Sequence, residues 1–532
     1  MLNREKNRDR DRGLLKISYL LVFLTAIVLL YQHLWVRGFF HDGHLYAALG
    51  KNAVLYNRWI APYLSEINYP LFNQHPPLLF IMEGIFFKIF GISWVSARFF
   101  SVSCAFVSIV LLTYFVGQSG NRVFAFYSGL IFSLLPPLFK KARSPSLDIT
   151  LMMLVLFSLF FYFQAYKNYF DRDRDRDRWK WPLYWLLAGT FLGFALLEKG
   201  PPALIIPMTV VVHLLLTGKI SMLFKNAMPW VSLALGAALF CLWPALLYLE
   251  GREIIFWDYV NNQLFSTIVQ GRGQKDFMLS IYPYYLLENM GPWSIMGIIG
   301  VIFIIRDFIL KKARYRFDDR FKSVVILFAS LFFVVVVFFS FVRWKYSNYI
   351  VPSFPALAVL AAYPMTKLGE RFHRGFIFVH KRLLVVLVLL LLIFPITTTT
   401  TRDVELFKII DVLDSSALYS NSHSNSHSNS EKKLINWKIV NSIYPYYNVV
   451  NLISWEGFGE VNVLGITELE TYIDEQKKSQ QIVILIDRES YNLLKIKYGD
   501  ILNKIFVKLL EFRDKNMVVL ATHAIFEKLK SN

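Results

Sequence analysis

Apolar residues in this 532-residue chain come in long blocks rather than in the short alternations of a water-soluble protein. The blocks lie near 15–36, 97–117, 123–138, 148–166, 182–197, 201–216, 228–249, 281–305, 323–342, 348–364 and 382–397. A helix needs about 20 apolar residues to cross a bilayer core, so the pattern predicts eleven transmembrane helices. The first block follows a charged leader and lacks a small-residue cleavage site, so it reads as a retained helix. Residues 37–96 hold interrupted amphipathic stretches such as LYAALGKNAVLYNRWI and PPLLFIMEGIFFKIFGI, which suit helices lying in the interface.

After residue 400 the pattern changes. VVNLISW, QIVILID and the pair IFVKLLEF and NMVVLAT read as strands, the last two as a hairpin. ITELETYIDEQKKS and RESYNLLKIKYGD read as helices between them. The expected organisation is a polytopic α-helical region over 1–400 and a small α/β domain over 401–532. Loops at 37–96 and 250–280 are large.

Composition agrees with a membrane protein: 55% of residues are hydrophobic, 18% charged and 17% aromatic. Soluble, collagenous and disulfide-scaffold classes are excluded. The net charge of +19 belongs to residues 1–400, which carry +20 against −1 for 401–532. Lys and Arg beside apolar spans report topology before a polyanionic partner, so nucleic acid is not implied. The basic loops 167–181, 306–322 and 365–382 are therefore expected on the cytoplasmic side with the N-terminus, and the C-terminal domain outside. Cys104 and Cys241 fall within apolar blocks and are expected to be small buried hydrophobes without a disulfide. DRDRDRDR (171–178) and SNSHSNSHSNS (420–430) read as solvated polar tracts, with His423 and His427 products of repetition rather than metal ligands.

Ionisable groups at a membrane boundary need a reason. Asp42, between His41 and His44, follows the first block, and Asp148 opens the fourth. Either can accept a proton from an incoming hydroxyl; Asp148 can equally cap its helix. A cationic set shares the expected exterior side: Lys140, Lys141, Arg143, Lys199, Arg252, Arg272, Lys275 and Lys345. Phosphate is one explanation for them, and lipid headgroups or nearby carboxylates are another. His75 and Tyr349 are candidates for polar lining.

Several segments recur together, in order: Asp42 after the first span, NQHPPLLF (73–80), SARFFSVS (96–103), KKARSPSLD (140–148), EKGPPALIIP (198–207), YPYYLLENMGPW (282–293) and WKYSNYIVPSFPALA (344–358). In this the chain resembles the polyprenyl-phosphate-sugar-dependent glycosyltransferases of the GT-C fold, a group containing lipid A aminoarabinose transferases and protein O-mannosyltransferases. The resemblance covers about residues 15–400. It implies inverting transfer of a sugar from a polyprenyl-phosphate carrier at the exterior membrane face, onto a lipid, glycan or protein acceptor. Carried over, Asp42 matches the acid assigned as general base and Asp148 a second acid. Lys199 and Lys345 match positions that hold the carrier phosphate, and Gln74 and His75 lie in a matching substrate-binding segment; Arg143, Arg252, Arg272 and Tyr349 are further substrate-binding candidates from their charge, polarity and position alone. Gln74 and His75 stand where relatives often have Glu and Lys, and Gly43 where Glu is common. No covalently bound cofactor is expected, and a divalent metal stays open. The rival readings are a transporter or flippase for a lipid-linked sugar and an O-antigen-type polymerase or ligase. A bacterial inner membrane is the expected location.

Overall fold

The computed structural model describes residues 18–39, 42–64, 69–170, 180–263, 281–309, 318–341 and 346–394. Towards the C-terminus it describes 436–440, 455, 461–464, 469–470, 473, 482–512, 517–523 and 526–527. The chain divides into two compact units. One comprises Met1–Trp35, Trp59–Ala61 and Asn73–Thr397; the other comprises Val36–Arg58, Pro62–Phe72 and Thr398–Asn532.

The first unit is helical. Its helices are α1 (Ser18–Tyr31) and, with α2 reserved for the other unit, α3 (Leu78–Phe90), α4 (Trp94–Gly117), α5 (Arg122–Ser133), α6 (Pro136–Ala142), α7 (Leu147–Phe170) and α8 (Lys180–Lys199). They continue with α9 (Ile205–Leu216), α10 (Ser221–Lys225), α11 (Met228–Leu249), α12 (Ile254–Asp258), α13 (Ile281–Met290), α14 (Pro292–Ile304), α15 (Asp319–Phe341), α16 (Phe354–Ala362) and α17 (Glu370–Ile393). Short 3₁₀ turns at Pro201–Leu204, Ser347–Ser353 and Tyr363–Lys367 flank α9 and α16. Among the described residues seven helical segments are long and apolar enough to cross a membrane, or nine if each of two bent pairs counts once. This is an integral membrane protein.

Each of the eleven apolar blocks coincides with a helix or a bent pair, but their shapes differ from eleven simple rods. α5 and α6 meet at 57°, where Pro136 and Pro137 restart the helix. α13 and α14 meet at 119°, so 281–305 is not one straight span. Gly291, at φ +47°, supplies the corner and Pro292 starts the next helix. α17 begins at Glu370, well before the expected 382, because its first half carries its charges on a helix instead of a loop.

Local chemistry fixes the ends. Ser93 and Ser96 form a reciprocal capping box at α4. Asn121 accepts the Phe124 N–H at 3.0 Å to cap α5. α8 packs on α7 and on α11. The α8–α11 contact is backbone on backbone: a Cβ at Gly189 would lie 2.3 Å from the Ser232 carbonyl oxygen. Small residues allow this approach where lipid supplies no hydrophobic drive between helices. Cys104 is buried as expected, whereas Cys241 sits on the exposed, apolar side of α11. That side carries Leu242, Leu246 and Leu249, all exposed, as suits a lipid-facing surface.

The second unit contains α2 (Gly43–Leu55), a five-stranded sheet and α18 (Arg488–Ile505). The strands are β1 (Asn436–Val440), β2 (Val461–Leu464), β3 (Ile482–Asp487), β4 (Phe506–Phe512) and β5 (Met517–Thr522), in the order β2-β1-β3-β5-β4. β2, β1 and β3 run parallel; β5 is antiparallel to β3 and to β4, giving the expected hairpin. Ile484, Ile486, Val518 and Leu520 pack with Tyr491 and Leu494 of α18 into its core. Of VVNLISW only Trp455 is described, and it is helical rather than extended. The Lys51 ammonium of α2 donates to the Trp455 carbonyl at 2.8 Å, tying this first-loop helix to the C-terminal residues.

Candidate active site

The best-formed polar cluster lies where α7 begins and α8 ends. Asp148 occupies the first turn of α7 and Lys199 the last position of α8. A carboxylate at a helix N-terminus and an ammonium at a C-terminus each meet the favourable pole of their own helix. Here the two also meet each other: the Lys199 Nζ donates to Asp148 Oδ1. Both side chains are about nine-tenths buried. Among the described residues Asp148 accepts a side-chain hydrogen bond from Lys199 alone.

Around this pair stand groups from four other segments. The Lys199 ammonium lies 5.2 Å from the ring centroid of Tyr349, a cation–π contact. Lys141 of α6 donates to the Asn348 side-chain oxygen and lies within reach of both the Asp148 and Lys199 charges. His75, in the loop before α3, also senses Lys199. Burial, then that charge, lowers its pKa to about 3, so its imidazole is neutral at physiological pH. Gln74 is half-buried beside it. Asn73 donates to Asp258 of α12 at 3.4 Å and anchors the loop.

Gly200 closes α8 with φ +73°. A Cβ there would lie 1.9 Å from the Tyr259 hydroxyl, so the EKGPP turn requires glycine both for conformation and for space.

Other expected ligands are used differently. Arg143 is buried, and its guanidinium donates to the carbonyls of Gln32 (2.5 Å) and His33 (3.5 Å). Arg98, from the SARFFSVS segment, donates to the carbonyls of Arg143 (3.0 Å) and Leu34 (2.7 Å). These two arginines stitch the end of α1 to α4 and to the SPSLD turn that presents Asp148. Arg143 thus holds two backbone carbonyls, while its Nε is buried without a hydrogen-bond partner among the described residues. Arg252 is partly exposed and pairs with its neighbour Glu250 at 2.8 Å. Arg272, Lys275, Lys345, His41, His423 and His427 lie outside the described residues.

Asp42 belongs to the other unit. It stands at the start of α2, yet its side chain does not cap the helix; the Tyr46 hydroxyl donates to Oδ2 at 3.5 Å.

Sequence reasoning passed over Glu83 and Glu198. Both are fully buried, and Glu198 is adjacent to Lys199 in the chain. The available signal was a lone acid in the apolar helix LLFIMEGIFFKIF, since a buried ionisable group in such a setting marks function. Among the described residues no group of three or more His, Cys, Asp or Glu is placed to hold a metal.

The architecture is that of the GT-C fold. Residues 74–248 match the family model described as dolichyl-phosphate-mannose-protein mannosyltransferase. The chain is 26% identical over 323 residues to the undecaprenyl phosphate-alpha-4-amino-4-deoxy-L-arabinose arabinosyl transferase of Photorhabdus laumondii, covering 60% of this chain and 54% of that protein. It is 27% identical over 313 residues to an uncharacterized protein of Aquifex aeolicus, covering 58% and 64%. The matched region thus spans less than two thirds of these curated relatives. Among solved structures, ArnT from Cupriavidus metallidurans bound to undecaprenyl phosphate aligns with TM-score 0.66 at 14% identity, over 97% of this chain and 99% of that one. The Archaeoglobus fulgidus oligosaccharyltransferase tethered with an acceptor peptide aligns with TM-score 0.52 at 11% identity, over 96% and 74%. The resemblance to polyprenyl-phosphate-sugar GT-C glycosyltransferases, read from seven segments, is borne out.

Proposed function

We propose that this protein is a membrane glycosyltransferase that moves a sugar from a polyprenyl-phosphate carrier to a hydroxyl or phosphate of a lipid, glycan or protein, with inversion. The observation that carries this reading is the buried Asp148–Lys199 pair, seated between two helix poles with Lys141 and Tyr349 beside it, in a chain of GT-C fold. The arabinosyl transferase relatives and the undecaprenyl-phosphate-bound ArnT structure support a polyprenyl-phosphate donor.

In this reading the bond from the anomeric carbon to the carrier phosphate oxygen breaks as the acceptor oxygen bonds to that carbon. Negative charge grows on the departing phosphate, and preplaced cations lower its energy. Lys199 and Lys141 are positioned for that role, with Lys345 assigned to it by resemblance and Arg272 by its charge. Asp42 takes the acceptor proton, and Asp148 orients Lys199. Neutral His75 lines the donor site as a hydrogen-bonding group rather than a cation. The donor brings its own leaving group, so no covalently bound cofactor is required, and chelation measures whether a divalent ion takes part. Lys and Arg beside the spans support a cytoplasmic N-terminus and a reaction on the exterior face, and the arabinosyl transferase relatives support a bacterial inner membrane.

The test is mass spectrometry of lipid-linked sugars and surface glycoconjugates in cells lacking the protein, complemented with wild type or Asp42→Asn. Accumulation of one polyprenyl-phosphate sugar, loss of that sugar from one conjugate, and restoration by wild type alone are expected. Equal restoration by Asp42→Asn removes Asp42 as base; an unchanged profile in the deleted strain removes the transferase reading.

A further inference from the structure

A cavity of about 110 Å³ opens where α7, α8, α9, α10 and α11 meet, away from the Asp148–Lys199 pair. Tyr162 of α7 lies 14 residues beyond Asp148, and Trp185 of α8 lies 14 residues before Lys199. At about 1.5 Å per residue, both stand roughly 21 Å along their helices from that pair. The wall is almost wholly apolar, with Val211 and Leu233 beside the two aromatic rings. Val211 and Leu233 are also exposed, so the cavity opens on the outer surface, which faces lipid in a membrane protein. A single water occupies about 30 Å³ and needs two to four polar partners. This cavity is larger than that, and its wall offers few partners.

The polar groups at the wall fall into two kinds. Ser158 donates its hydroxyl to the Ala188 carbonyl at 2.8 Å, and the Tyr162 hydroxyl pairs with His213 Nδ1 at 2.7 Å. Trp185 differs: it is 4% exposed, and its indole N–H has no acceptor among the described residues. One turn nearer the start of α8, on the same face, the Trp181 indole N–H is buried and equally without an acceptor among the described residues. Two such donors beside an apolar cavity call for an amphipathic occupant that carries acceptors. Charge at this end is one-sided. The connection 217–230 holds Lys219 and Lys225, both exposed, and no acid. Between those lysines Leu223 lines the cavity, and its carbonyl accepts from the Trp230 indole at 2.8 Å. Trp230 is also a wall residue and half exposed, as suits a ring at the level of the headgroups.

We propose that this cavity binds an anionic phospholipid of the leaflet opposite the Asp148–Lys199 pair. One acyl chain would fill the cavity, and an ester carbonyl would accept from Trp185. The phosphate would meet Lys219 and Lys225 through charge-assisted hydrogen bonds. Basic pockets between transmembrane helices hold anionic headgroups by the same chemistry. The site stands apart from the proposed donor site and requires no transferase activity. Its consequence is structural. Ser232, whose backbone meets Gly189, also lines the cavity, so a bound lipid would bear on the α8–α11 seam.

The test titrates the full-length protein, delipidated in detergent, with phosphatidylglycerol or phosphatidylcholine carrying the same brominated acyl chains. Tryptophan quenching reports binding, and thermal unfolding reports stabilisation. Phosphatidylglycerol is expected to quench and stabilise at lower concentration than phosphatidylcholine. Lys219→Gln/Lys225→Gln, which alters two exposed side chains, should weaken phosphatidylglycerol binding by about 30-fold and abolish the preference. Trp185→Phe, which keeps a ring but removes the N–H, should weaken it by about 2–10-fold and diminish the quenching. An equal response to the two lipids, or a preference unchanged in the lysine variant, overturns the proposal. Undiminished quenching in Trp185→Phe places the chain elsewhere and overturns it too. Stabilisation by inorganic phosphate alone would show a free-anion site instead. Displacement of the brominated lipid by undecaprenyl phosphate, at lower concentration than by unbrominated phosphatidylglycerol, would show a groove for the carrier's tail; either result also overturns it.

Discussion

The first unit contains two buried Asp–Lys–Tyr groupings, and they are built differently. Asp307 accepts from the Tyr363 hydroxyl at 2.9 Å, from Lys367 at 2.5 Å and from Arg306 Nε at 3.1 Å. Its carboxylate is saturated, and the tyrosine contributes its hydroxyl. Asp148 accepts from Lys199 alone among the described residues, and the facing Tyr349 contributes its ring to the lysine. One arrangement spends all its hydrogen-bonding capacity on folding; the other keeps capacity in reserve. A saturated carboxylate is a clasp, whereas an under-coordinated one beside a cation can exchange partners with a substrate.

Substitution should separate the two most sharply at the acids. Asp148→Asn, which releases the cation it orients, is expected to lower transfer by up to about 10²–10³-fold. Asp307→Asn should instead cost roughly 1–2 kcal/mol of stability through weakened charge-assisted hydrogen bonds to partners that still reach solvent, with the rate per folded molecule close to wild type. Thermal unfolding beside single-turnover assays measures both. Next comes Lys199→Met, which leaves the buried Asp148 charge uncompensated and should destabilise the protein by about 3 kcal/mol. Adding Asp148→Asn should recover stability without recovering transfer, and recovery of both would show the pair to be another clasp. Gly200→Ala should cost roughly 1–3 kcal/mol through backbone strain and the collision with Tyr259. Tyr259→Phe should return part of that loss by removing the hydroxyl but not the strain.

A further expected effect is in pH. The folded pKa of His75 is about 3, below its unfolded value of about 6.5. Between those values the unfolded chain binds more protons, so stability rises with pH across the window and is lost as pH falls through it. His75→Gln should flatten that part of the stability profile, read by denaturation at a series of pH values.

What was legible in the sequence follows from what each signal depends on. Apolar blocks report burial in lipid or protein, and every one found a helix. They are blind to bends made by single residues such as Gly291. They also misplace α17, where Arg371, Arg374, Lys381 and Arg382 mask helical continuity. Asp148 and Lys199 were visible because they interrupt apolar blocks at the ends of two neighbouring helices. Arg143 was visible for the same reason, though charge and position alone did not show that part of its guanidinium is turned to the carbonyls of Gln32 and His33. Glu83 and Glu198 are 115 residues apart, and only folding brings their charges together. β1 and β2, five and four residues long, were too short to carry an alternating pattern of their own.

The glycine seam between α8 and α11 also bears on how the protein is assembled. Gly189 meets the Ser232 backbone with no space for another atom between them, so a lipid chain cannot stand in for the missing partner with equal fit. When α8 enters the bilayer during synthesis its seam is incomplete, and it stays so until the 22 residues of α11 follow. The packing of α8, which ends at Lys199, is therefore completed by a helix that follows it in the chain.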